Sequence, residues 1–197
     1  MPKPVLGPER RTNPLIWGVA ILCTLITLSV IITGLVVFIG YMVVRPKVPQ
    51  MYVRSANVDN FAYDMSNLMS IKLSIVINAQ NDNAKAHASF YETYYTLWFD
   101  GVKVAYLRSD PFDVARNSSI PLYYPVESTS IALTPEEGEI AELALSQRQV
   151  ALDLKGSTRT RWRVGIVGSV KFWLHLNCKL KLPLNGSTVY PKCSTKS

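Results

Sequence analysis

The sequence predicts a mainly β protein. One N-terminal transmembrane helix precedes an immunoglobulin- or fibronectin-III-like antiparallel β-sandwich with one short helix. Three observations predict this. Leu15 to Val44 contains no charged residue, and a bilayer core needs about 20 predominantly apolar residues. Beyond that run the apolar period changes to two: Ile71, Leu73, Ile75 and Ile77 alternate with Lys72, Ser74, Val76 and Asn78, as in a half-buried strand. Further alternating segments follow with turn signals between them, the pattern of a sandwich.

Taken in order, residues 1–14 carry Pro2, Pro4, Gly7 and Pro8 and no apolar period, so a disordered cytosolic tail is expected. Residues 15–44 form the span. Thr24, Thr27, Ser29 and Thr33 interrupt it only with hydroxyls, which a helix can bond to its own carbonyls. Trp17 and Tyr41 lie 24 positions apart, roughly 36 Å of helix, which suits aromatic anchors at two interfaces. A cleaved signal peptide is the alternative, but its apolar part runs only about 7–15 residues. Residues 45–50, with Arg45-Pro46-Lys47-Val48-Pro49, end the helix, because proline cannot continue its ladder. They form a short stem before a body at 51–197.

Flanking charge does not orient the span. Lys3, Arg10 and Arg11 precede it, and Arg45, Lys47 and Arg54 follow. Other features place the body outside the cytosol. Asn117-Ser118-Ser119 and Asn185-Gly186-Ser187 are glycosylation sequons, and Cys178 and Cys193 are the two cysteines beyond the span. Paired cysteines belong to oxidising compartments. Cys23, inside the span, is a small apolar filler. Ser29-xxx-Thr33 is a small-residue contact signal that leaves the oligomeric state open.

Within the body, Tyr91, Thr93, Tyr95, Leu97 and Phe99 alternate with Glu92, Tyr94, Thr96 and Trp98. Asp100-Gly101 then turns the chain into Val102, Val104 and Tyr106, a strong hairpin signal. Thr134-Pro135-Glu136-Glu137 offers an N-cap, a proline at the first helical position and a capping-box glutamate. Ile140, Leu143, Ala144 and Gln147 continue at helical spacing. Gly138 weakens that helix by about 1 kcal/mol against alanine, so two to four turns are expected. The last strand places Val170, Phe172, Leu174, Leu176, Cys178, Leu180 and Leu182 on one face. A Cys178–Cys193 disulfide would close a short loop and contribute about 3 kcal/mol; two unpaired buried thiols are the alternative.

The order of these motifs resembles a plant family. "RPKVP", "SFYETYYTLWFDGVKVA", "TRTRWRVGIVGSVKFWLHLNCKLKL" and a terminal cysteine are similar to the harpin-induced, non-race-specific-disease-resistance-like group. The outer body of that group is a late-embryogenesis-abundant type domain. The resemblance implies a single-pass plasma-membrane protein, N-terminus cytosolic and C-terminus extracellular, serving pathogen, hypersensitive or abiotic-stress responses. Signalling proteins at the tail are the implied partners. The group's Asn-Pro-Asn hallmark is matched by "NAQNDNAKA", with Asn78 as the first asparagine and Ala79 in place of proline. Asn81-Asp82-Asn83 is then expected to turn the chain. A calcium site there would need six to eight oxygens, and the cluster has one carboxylate.

No catalytic, cofactor or metal site is expected. His87 and His175 lie in separate segments, and Gly165-Ile166-Val167-Gly168 lacks a following lysine. Charge is more informative. The chain carries +7, with no acidic residue after Asp153. Arg159, Arg161 and Arg163 alternate, so they share one strand face; Lys171, Lys179 and Lys181 share another, with Trp173 and His175 among them. Such a face attracts anions: acidic wall polysaccharide or anionic lipid headgroups outside a cell. Nucleic acid is not expected there. A solvated face that only maintains solubility is the alternative. A second functional class is a tethered lipid-binding or lipid-transfer module, with Tyr91, Tyr94, Tyr95, Trp98 and Phe99 lining a groove. That reading calls for an apolar cavity of roughly 300 Å³ or more.

Overall fold

A computed structural model describes residues 14–44, 47–84, 86–164 and 168–195. Residues 1–13 of the expected tail, and Arg45 and Pro46 of the stem, lie outside the described residues. The chain divides into two compact units, Met1–Arg45 and Pro46–Ser197.

The first unit contains helix α1, Pro14–Val44. Its segment Pro14–Gly40, 27 residues long, is apolar and long enough to cross a membrane. Three hydroxyls are turned back onto the helix: Thr24 donates to Ala20 O at 2.7 Å, Thr27 to Cys23 O at 2.8 Å and Thr33 to Ser29 O at 2.8 Å. None of these three therefore presents an unpaired donor to its surroundings.

The second unit is an antiparallel β-sandwich. Its elements are β1 (Gln50–Tyr63), β2 (Leu68–Asn81), β3 (Ala88–Phe99), β4 (Val102–Ser109), β5 (Phe112–Val114), β6 (Ser118–Ala132), α2 (Pro135–Gln147), β7 (Gln149–Val164) and β8 (Gly168–Pro183). One sheet has the order β1-β2-β6; the other runs β4-β3-β7-β8, with β5 paired to β3. The hairpin between β3 and β4 closes on Asp100 and Gly101, with Phe99 opposite Val102. Both turn residues have positive φ, 42° and 87°, as a two-residue primed turn requires.

The inner faces follow strand parity, with exceptions that matter. In β2 every odd residue from Met69 to Asn81 is buried. In β1 the buried set changes parity twice: Met51 and Val53, then Ala56 and Val58, then Phe61. Each change coincides with a register shift against β2, between Val53 and Ser55 and between Val58 and Asn60. These are β-bulges, which insert one residue and return the next side chains to the same face. In β3, Ala88 and Phe90 are buried, then Thr93, Tyr95, Leu97 and Phe99. The switch falls at a register shift between Tyr91 and Tyr94, where Glu92 has φ 52°. Tyr91 therefore leaves the inner face that strict alternation assigns it.

The two inner faces meet in one core that includes Ile75, Ile77, Tyr95, Leu97, Phe99, Leu154 and Leu176. Tyr95 is completely buried, and its hydroxyl donates to Met51 Sδ at 3.1 Å. Opposite it in β7 stands Gly156; a methyl group there would overlap the Tyr95 ring and the Tyr94 carbonyl. Burial pushes the Tyr95 phenol up, with a further push from Tyr124. Helix α2 has its full capping box: Glu137 N donates to Thr134 Oγ1 at 3.3 Å, and Thr134 N donates to Glu137 Oε2 at 2.7 Å. Gly138 is there for packing, since a side chain would collide with the Tyr63 hydroxyl.

The last residues cover the open edge of β1. Val53 N donates to Cys193 O at 3.0 Å, Ala56 N to Val189 O at 2.9 Å and Thr195 N to Met51 O at 2.7 Å. Cys193 is bonded to Cys178, with Cα atoms 5.6 Å apart. Cys178 sits on the inner face of β8, so the bond ties a segment lying on one sheet to a strand of the other.

Two expected outcomes follow from the core and this bond. Folding keeps the Tyr95 phenol protonated, so its contribution is intact below its ordinary value of 10.0 and is lost as pH rises beyond it. Tyr95→Phe should change stability near pH 7 by only about 1 kcal/mol and flatten the decline above pH 10 in denaturant midpoints. An undiminished decline would count against the burial argument. The disulfide spans 15 positions, so Cys193→Ser should cost about 3 kcal/mol. Hydrogen exchange should quicken at the Val53 and Ala56 amides; unchanged exchange would show that the edge is held without the bond.

Candidate functional site

The amide cluster after β2 is a structural knot. Asn78 and Asn81 are still in the strand, so the chain leaves it three residues later than the sequence suggests. Asn81 is completely buried. Its Nδ2 donates to Ala86 O at 2.8 Å, Ala115 O at 3.2 Å and Val114 O at 3.3 Å. Its Oδ1 accepts from Asn83 N and Asn83 Nδ2, both at 3.2 Å. Asn83 in turn grips the stem: its Oδ1 accepts from Lys47 N at 3.1 Å, and its Nδ2 donates to Lys47 O. Asn83 O also accepts from Asn117 N at 2.9 Å. Both asparagine side-chain oxygens accept from N–H donors, so these amides hold backbone in place. Asp82 is engaged as well, accepting from Gln80 Nε2 at 2.7 Å. The asparagines that carry the bonding in this chain are therefore Asn81 and Asn83. Asn78 makes one bond, to the Tyr52 hydroxyl at 3.0 Å.

Both sequon asparagines are exposed. Asn117 adopts φ 48° in the turn before β6. Asn185 accepts from Ser187 N at 3.0 Å through its Oδ1, an Asx turn. His87 lies before β3 and His175 on the outer face of β8. Among the described residues no three histidine, cysteine or acidic side chains gather at metal-binding distance.

Arg159, Arg161, Lys171, Lys179 and Lys181 share the outer face of the larger sheet, but register divides them. Arg159 is occupied: its Nη1 lies 3.4 Å from Glu92 Oε1, and its guanidinium carbon is 5.6 Å from both the Tyr91 and Trp173 ring centroids. Arg161 and Lys171 stand directly opposite each other on β7 and β8 and make no ion pair among the described residues. Lys179 and Lys181 lie at the other end of β8, eight and ten residues on, or roughly 26–33 Å of strand. They border a cleft of about 350 Å³ beside Ile140 and Leu143 of α2. The Arg163 side chain falls outside the described residues. The single basic face of the sequence is thus two separate clusters with an engaged arginine nearby.

Arg161 and Lys171 border a second cleft, of about 360 Å³, together with Ser89, Tyr91, Phe112 and Asp113. Ser89 could not be singled out from the sequence, and neither could Asp113; only the pairing of β3 with β5 and β7 brings them here. Both clefts reach the size that a lipid groove would need, yet both carry charged walls. The aromatic strand is spent differently: Tyr95 and Phe99 enter the core, while outward-facing Tyr94 stacks on Tyr106 at 6.4 Å.

The knot makes an ordered prediction. Asn81→Ala removes a fully buried amide that bonds three carbonyls and Asn83, and should cost about 3 kcal/mol or more. Asn78→Ala removes one bond and should cost about 1 kcal/mol. Urea midpoints of the two variants check this; equal losses would mean that the knot is not the stronger element.

A family model described as "Late embryogenesis abundant protein" matches residues 76–178, just over half of the chain. Two Arabidopsis thaliana proteins are similar over most of their length. NDR1/HIN1-like protein 12 is 22% identical over 163 residues, covering 80% of this chain and 76% of that protein. NDR1/HIN1-like protein 1 is 21% identical over 179 residues, covering 87% and 81%. The solution structure of a protein provisionally assigned as late embryogenesis abundant aligns at 14% identity, over 81% of this chain and 86% of that one. Its TM-score is 0.31, too low to weigh. The family match runs from the second half of β2 to Cys178, and so takes in the asparagines of the knot, the hairpin and the Arg161–Lys171 pair, stopping just before Lys179: this chain belongs to the late embryogenesis abundant protein family.

Proposed function

We propose that this protein is a non-catalytic, membrane-anchored component of plant defence or abiotic-stress response. Helix α1 holds it in the plasma membrane with its N-terminus cytosolic and its sandwich outside the cell. One observation carries the reading: an apolar helix of membrane-crossing length stands in the same chain as a late embryogenesis abundant body whose relatives are NDR1/HIN1-like proteins. The exposed sequons and the bonded cysteines all belong to that body, which favours an oxidising, glycosylating compartment. The separation of His87 from His175, and the engagement of Asp82 and Arg159, favour binding over catalysis. The short tail then meets cytosolic signalling proteins, and the outer face of the larger sheet meets anionic matter beyond the membrane.

Endoglycosidase treatment of membranes tests the orientation. The full chain should lose mass on digestion, and Asn117→Gln and Asn185→Gln should each remove one glycan step. Protease added to intact cells should remove the C-terminal body. A body protected in intact cells and digested only after permeabilisation would reverse the assignment.

A further inference from the structure

Register places four polar side chains in one continuous row across the larger sheet. Asp113 of β5 pairs with Ser89 of β3, Ser89 pairs with Arg161 of β7, and Arg161 pairs with Lys171 of β8. The row lines the 360 Å³ cleft, with Tyr91 and Phe112 as its apolar wall. Like charges directly opposite each other on adjacent strands are destabilising, and nothing among the described residues neutralises Arg161 or Lys171. Adjacent strands are about 4.8 Å apart, so Asp113 stands about 10 Å from the Arg161 backbone. It makes no ion pair among the described residues.

We propose that this cleft binds a uronic-acid unit of an acidic polysaccharide. The proposal rests on the reading that the body lies outside the cell. Arg161 offers a planar fork to the sugar carboxylate, and Lys171 adds a point charge. Ser89 and the Asp113 carboxylate, at the other end of the row, bond the hydroxyls of the ring or its neighbour. Tyr91 and Phe112 meet the apolar ring edge, giving the mixture of apolar wall and placed polar groups that small-ligand sites use. Asp113 is what selects this ligand class. A compact polyphosphate would be repelled by it, whereas a sugar hydroxyl needs an acceptor.

The test uses the full-length protein in nanodiscs of neutral phosphatidylcholine, titrated calorimetrically with a galacturonate hexamer. A neutral glucose hexamer and tripolyphosphate serve as comparisons. The galacturonate hexamer should bind and the neutral one should not. Arg161→Gln and Lys171→Gln should each weaken binding roughly tenfold, the loss of one charge-assisted bond, while Lys179→Gln should leave it unchanged. Asp113→Ala gives opposite signs: weaker for galacturonate through the lost acceptor, tighter for tripolyphosphate through the lost repulsion. Equal weakening by Lys179→Gln, or tighter galacturonate binding to Asp113→Ala, would reduce the cleft to diffuse charge and overturn the proposal. So would Arg161-dependent binding to phosphatidylserine vesicles without galacturonate binding, which would make it a lipid contact. Absent galacturonate binding in a protein whose body is glycosylated and digested from outside would overturn the ligand while leaving the anchored-body reading standing. A body found inside the cell would overturn both.

Discussion

The entry of the chain into the sandwich depends on two buried amides. Asn81 serves carbonyls from the β2–β3 connection and from the end of β5, and it positions Asn83, which holds both backbone groups of Lys47. A side-chain amide has donors and an acceptor in fixed relation, so it can substitute for strand pairing where no strand is present. The stem, the end of β2, the short β5 and the turn before β6 are thereby referred to one point. The row that lines the Arg161 cleft includes Asp113, next to Val114 in β5, so the geometry of that surface is set partly by this interior bonding.

Charge on the outer face is organised by pairing register rather than by density. Arg159 is neutralised by Glu92 and lies against two rings, and the register shift that brings Tyr91 to the outer face supplies one of them. Arg161 with Lys171, and Lys179 with Lys181, stand at opposite ends of the β7–β8 pair and make no ion pair among the described residues. A protein that only needed solubility would gain nothing from facing Arg161 with Lys171, since an exposed basic pair contributes repulsion and little else. On the binding proposed for the Arg161 cleft, that repulsion is the cost of holding two cations ready for one anion.

Much of the fold was legible in the sequence where the period was unbroken. β2 and β8 keep one parity along most of their length, the Asp100-Gly101 hairpin uses its usual residues, and Thr134 begins α2 with a complete box. β1 was not legible, because two bulges shift its buried residues from odd to even and back within twelve positions. β6 was hidden by Pro121 and Pro125, which an edge strand tolerates because no neighbour needs their missing donors. The site was legible only by half. Alternation gave the cations, but not their separation into clusters. The contacts of Asn81 with Val114 and Ala115 join residues more than thirty positions apart, and no local pattern encodes them. The same holds for Ser89 and Asp113, whose place beside Arg161 is a property of strand order.

The covered edge of β1 also sets how the body would respond to being pulled. Met51 and Thr195 exchange hydrogen bonds, so tension between the chain's entry and its carboxy end would act first on this pair and its neighbours. Once the terminal residues had peeled away, the load would pass at Cys193 into a covalent link to β8. The stretch between Cys178 and Cys193 would then bear no load, and any further extension would have to come from the sheets themselves, as slack in a rope ends at a knot.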